Sequence, residues 1–132
     1  MDEQEIRKII EVVTEELQKN FDKYKYDDYG IASKTLVPFA TIESKSRVVR
    51  SEGTDEDEDI MICYDEKGWM IWYSTVQVGA GVQKVIEDHE QRINPEGVVN
   101  KFNELTTYEK MVFMVEAYRI ISFAENKYKL FK

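Results

Sequence analysis

With only one cysteine, Cys63, the 132-residue chain has no second thiol for an intramolecular disulfide. Its core has to hold without cross-links, as is normal in a reducing compartment, so the expected location is the cytoplasm. One histidine, His89, and one cysteine supply too few soft ligands for a zinc site. Neither G-x-x-x-x-G-K-[ST] nor G-x-S-x-G occurs, which removes the P-loop and the nucleophile elbow. No stretch comes near the roughly 18 apolar residues of a membrane-spanning helix. Met1-Asp2-Glu3-Gln4-Glu5 is acidic where a signal peptide would be basic and then apolar. Basic residues are also in the minority: 18 Lys and Arg face 26 Asp and Glu, a net charge of −8. Such a surface repels phosphate backbones and anionic headgroups, so neither nucleic acid nor membrane is an expected partner.

What is present argues for one folded domain spanning residues 1–132. Hydrophobic residues make up 42% of the chain and aromatics 12%, enough to outweigh the ordering entropy that keeps charged chains unfolded. Ile6, Ile9, Ile10, Val13, Leu17 and Phe21 recur at helical spacing, which predicts an amphipathic first helix from Asp2 to Phe21, ended by the Tyr24 to Gly30 stretch. Asp2, Glu3 and Glu5 in its first turn oppose the positive end of the helix dipole. Residues 31–51 are rich in Val, Ile and Thr and read as two or three short strands with a break or an edge near Pro38, which cannot donate to a ladder. The next acids, Glu52, Asp55, Glu56, Asp57, Glu58 and Asp59, read as a self-repelling, solvated loop.

Two β-rich runs, Ile60 to Tyr64 and Trp69 to Tyr73, flank Asp65-Glu66-Lys67-Gly68 and predict a hairpin in which Tyr64 faces Trp69. That register places Ile60, Ile62, Tyr64, Trp69, Ile71 and Tyr73 on one face and Met61, Cys63, Met70 and Trp72 on the other. Both faces are apolar and both need cover. After Gly79 and Gly81, the spacing of Val82, Val85, Ile86, His89 and Ile93 predicts a second helix. Asn94 and Pro95 begin a third, with Val98, Val99, Phe102 and Leu105 inward. Thr106 and Glu109 form a capping box for a fourth, apolar over most of its circumference and expected to be the most deeply buried. The predicted fold is α+β: an N-terminal helix, an antiparallel sheet with a central hairpin, and three C-terminal helices.

Candidate sites are few. Asp55, Asp57, Asp59 and Glu66 echo the spacing of an EF-hand loop, but Ile60 stands where that loop needs Gly, so no metal is expected. His89 has no accompanying nucleophile, and Cys63 reads as a small buried hydrophobe. No catalytic residue and no cofactor is expected. Gly79-Ala80-Gly81 lacks the following Lys of a phosphate loop. The remaining candidates form a partner-binding surface: Glu52, Asp55, Glu56, Asp57, Glu58 and Asp59, with Met70 and Trp72 beside them. Acids speed encounter with a basic protein, and Trp and Met are favoured at interface centres.

The segment Gly68-Trp69-Met70-Ile71-Trp72-Tyr73-Ser74, a strand opened by Gly-Trp and followed by an expected helix, resembles small immunity proteins of bacterial polymorphic-toxin systems over about residues 47–93. The resemblance lies in layout and implies a cytoplasmic protein that binds and inhibits a cognate toxin. Two other readings stand beside it. One is a small-ligand-binding domain or an enzyme of unrecognised type, with polar groups converging near His89 or Tyr73. The other is a homo-oligomer built on a self-complementary apolar surface.

Overall fold

The computed structural model describes residues 2–30, 33–42, 47–51, 54–79 and 82–124; for 47–51, 54–57 and 82–83 it describes the backbone. The chain runs α1 (Glu3–Tyr24), β1 (Tyr26–Tyr29), β2 (Lys34–Ile42), β3 (Arg47–Ser51), β4 (Thr54–Asp65), β5 (Gly68–Gly79), β6 (Val82–Arg92), α2 (Pro95–Glu104) and α3 (Thr107–Ile121). The fold class is α+β. The antiparallel strands lie in the order β1-β2-β4-β5-β6, with β3 also against β4.

The helix starts follow from their capping chemistry. Asp2 accepts the Glu5 N–H at 2.8 Å to open α1, and Asn94 accepts the Gly97 N–H at 2.8 Å to open α2, with Pro95 inside the first turn. Thr106 and Glu109 make the reciprocal capping box of α3. α1 runs on to Tyr24, and part of the stretch expected to end it, Tyr26–Tyr29, pairs with β2 as a strand.

The hairpin has the register expected of it, Tyr64 opposite Trp69, and its turn uses Gly68 at φ +119°. The pairing then continues far beyond the apolar runs. Asp55 to Asp59 lie opposite Val78 to Ser74, so residues 54–59 are strand and not a solvated loop. The backbone ladder to β5 satisfies their amides whatever their side chains prefer. Glu52 lies outside the described residues.

The segment expected as a second helix is also a strand, β6, paired along β5 from Met70↔Arg92 to Gly79↔Val82. The chain therefore has two C-terminal helices among the described residues and not three. The misleading signal has a local cause. Thr75 faces Glu87 and Val76 faces Val85, so Ile86 is the extra residue of a bulge. The bulge interrupts the alternation and leaves Val85 and Ile86 adjacent, a spacing that mimics a helix. β2 carries a second bulge: Pro38 faces Cys63 and Ala40 faces Ile62, leaving Phe39 as the extra residue. Pro38 sits beyond the β1 pairing, where its missing N–H costs least.

The helices pack on one face of the sheet. Ile6, Ile10, Leu17, Val37, Phe39, Ile62, Trp69, Val98, Phe113 and Ile120 are buried together there. Phe39 meets Trp69 and Phe113 with ring centroids 4.6 and 5.1 Å away, so the bulge aims this ring into the core. The opposite face buries Leu36, Met61, Cys63, Met70 and Trp72, with Tyr29 against them. Among the described residues no helix covers them; the sheet curls over itself. Lys34 of β2 reaches Asp88 and Glu90 of β6 at 3.5 and 3.8 Å, although β4 and β5 separate the two strands in the sheet.

Candidate functional site

The residues expected to form a partner surface are not brought together as one. Met70 and Trp72 are buried on the curled face, 1% and 7% exposed, and are removed from any surface contact. The cover comes from the sheet's own curl, which the sequence does not reveal. Of the acids, Asp55, Glu56 and Asp57 are backbone positions in β4, while Glu58 is half-buried and Asp59 exposed, both already in contact with neighbours. His89 is exposed on β6 and stacks on the Tyr73 ring at 4.5 Å and 6°, so it lines no helix face. Cys63 is fully buried and its thiol faces the Met70 carbonyl at 3.8 Å; burial first, then the Asp65 and Glu90 carboxylates, push its pKa up to about 12. A thiol held this way is not a nucleophile at neutral pH. Among the described residues no group of three or more His, Cys, Asp or Glu is placed to hold a metal ion.

A cleft of about 560 Å³ opens between α1 and the hairpin end, and Thr14, Trp69 and Arg92 in its lining are bonded within the fold. The Thr14 hydroxyl accepts the Trp69 indole N–H at 2.9 Å, and Arg92 forms two 2.6 Å bonds to the Asp65 carboxylate.

α3 supplies the feature that the sequence reading missed. Its apolar residues fall into two stripes on opposite sides of the helix. Phe113, Ala117, Ile120 and Ile121 face the core. Tyr108, Met111, Val112, Val115 and Tyr118, spaced three and four apart, face out. Tyr108 is 74% exposed, Met111 62% and Val115 71%. The helix expected to be the most deeply buried thus exposes half of its apolar surface. The outer stripe is a contiguous run of exposed apolar and aromatic side chains, the kind of patch that marks an interaction site when it is not covered. The stripe continues into a groove of about 270 Å³ between α3 and β2, lined by Pro38, Thr41, Val112 and Val115.

One flank of this surface is tied to α1. Arg119 is held by Glu116 and donates to the Tyr24 carbonyl at 3.1 Å, tying α3 to the end of α1. No helix of the described residues is long and apolar enough to cross a membrane. Comparison with protein-family models, with curated proteins and with solved structures finds no match to this chain.

Proposed function

We propose that this is a protein-binding module that docks its partner on the outer face of α3 and the adjoining groove. The observation that carries the reading is the exposed stripe of Tyr108, Met111, Val112, Val115 and Tyr118 on a capped helix fixed to the core. Two of its five side chains are Tyr and one is Met, types favoured at interface centres. The partner is a protein with an apolar centre and a basic rim, because a chain of net charge −8 attracts positive surfaces and repels a second copy of itself. The partner class in this reading is a toxin, held inactive while bound; it rests on the Gly68-Trp69 strand of the immunity-protein resemblance alone, since the helix expected after that strand is β6.

The test is affinity capture with tagged wild-type protein and with the Val115→Asp variant, at low and high salt, the bound proteins being identified by mass spectrometry. The reading expects one basic protein that wild type retains, that high salt weakens, and that Val115→Asp loses while its circular dichroism stays unchanged. Equal retention by both proteins removes α3 from the interface.

A further inference from the structure

The curl of the sheet closes where Lys34, at the start of β2, meets β6. The Lys34 ammonium lies 3.5 Å from Asp88, 3.8 Å from Glu90 and 5.9 Å from the centre of the Trp72 ring. Asp88 stands opposite Ser74 and Glu90 opposite Trp72 in the β5–β6 ladder, so this clasp grips the two rungs that carry Ser74 and Trp72. The polar atoms of both are closed to water, and among the described residues neither Trp72 Nε1 nor Ser74 Oγ has a hydrogen-bond partner. The other tryptophan differs, since Trp69 Nε1 donates to Thr14.

The closed seam therefore carries costs that a looser one sheds. A buried polar atom without a partner bears its full desolvation penalty, and any state that lets water reach it recovers that penalty. Ser33, next to Lys34, holds φ at +52°, a left-handed backbone that a residue with a Cβ adopts unfavourably. Against these costs stand ion pairs whose three side chains are each about a third exposed, and so partly screened. Glu90 is also shared with Arg92 at 3.2 Å, which weakens its hold on Lys34.

We infer that the β2–β6 seam is a clasp that loosens within the native state, releasing Lys34 and admitting water to Trp72 and Ser74 while the helix-covered face of the sheet stays packed. Such local loosening is the low-energy end of native-state motion. It admits water and nothing as large as a thiol reagent, so Cys63 stays protected. The inference uses neither α3 nor its partner and stands or falls separately from the docking reading.

The test is native-state hydrogen exchange of the two indole N–H groups, followed by NMR of ¹⁵N-labelled full-length protein in D₂O. Trp72 is expected to exchange faster than Trp69, whose bonded indole exchanges only on larger unfolding. Lys34→Gln, or high salt on the wild-type protein, should speed Trp72 by about 2- to 5-fold and leave Trp69 in place. Ser74→Ala, which removes one of the unpartnered atoms, should slow Trp72. A Trp72 rate no faster than that of Trp69, a rate that neither Lys34→Gln nor salt raises, or no slowing in Ser74→Ala overturns the proposal.

Discussion

Trp69 donates its indole N–H to the Thr14 hydroxyl at 2.9 Å, joining residues 55 positions apart and tying the hairpin to α1. The same hydroxyl donates to the Ile10 carbonyl at 2.6 Å, so one buried side chain serves both partners. Thr14→Val keeps the shape and leaves the indole donor without an acceptor. The expected loss is about 1–3 kcal/mol, read as a lower urea midpoint at unchanged slope. A midpoint equal to wild type would mean that the bond contributes nothing.

Asp65 and Arg92 close the ends of β4 and β6 across β5. Burial pushes the Asp65 carboxyl up, but the Arg92 guanidinium and the Lys67 backbone N–H together outweigh it and hold the group below the ordinary carboxylate value. A pKa lowered by folding contributes stability that is complete above the unfolded value of about 3.9 and is lost as pH falls through the folded value. Arg92 is partly solvated, which reduces the pair's worth. Asp65→Asn is therefore expected to cost roughly 1–2 kcal/mol near neutrality and to converge with wild type in acid, as pH falls through the lowered Asp65 value. A cost that is constant across the pH range would contradict this assignment.

The two faces of α3 predict opposite mutational behaviour two residues apart. Phe113 is buried among Phe39, Trp69 and Phe102, with ring centroids 5.1 to 6.3 Å away, and Phe113→Ala should cost about 3–5 kcal/mol through the cavity that it leaves. Val115→Ser on the outer face should change stability by less than about 0.5 kcal/mol. Thermal unfolding of the two variants separates these values; a large loss at Val115 would show that the outer face is covered within the chain.

Cys63 should resist a thiol reagent at pH 8 in the folded protein and react only on unfolding, because the thiol is buried and its pKa stands near 12. Rapid labelling of the native protein would show that the curled face opens.

Signals that reside in a few adjacent residues were legible in the sequence. The α1 stripe, the Tyr64–Trp69 register, Asn94-Pro95 and the Thr106–Glu109 box each carry their own geometry. Signals that depend on distant pairing were not. The acids of β4 are strand because β5 offers them a ladder, and β6 is strand because Tyr73 meets His89 and Trp72 meets Glu90 along that edge. The bulge at Ile86 then disguised the alternation. On α3 the sequence shows a helix apolar over most of its circumference, and such a pattern cannot say which side has a neighbour. The seam between Lys34 and β6 exists only because the sheet curls, so no local pattern announces it.

The most direct test of the docking face is site-specific photocrosslinking to the captured partner, with a photoreactive phenylalanine analogue in place of Met111 in one protein and of Ile86 in another. Both side chains are exposed, Met111 on α3 and Ile86 on the β6 edge. Adducts from position 111 and none from position 86 are predicted; adducts from position 86 alone would place the partner on the sheet edge and contradict the α3 interface.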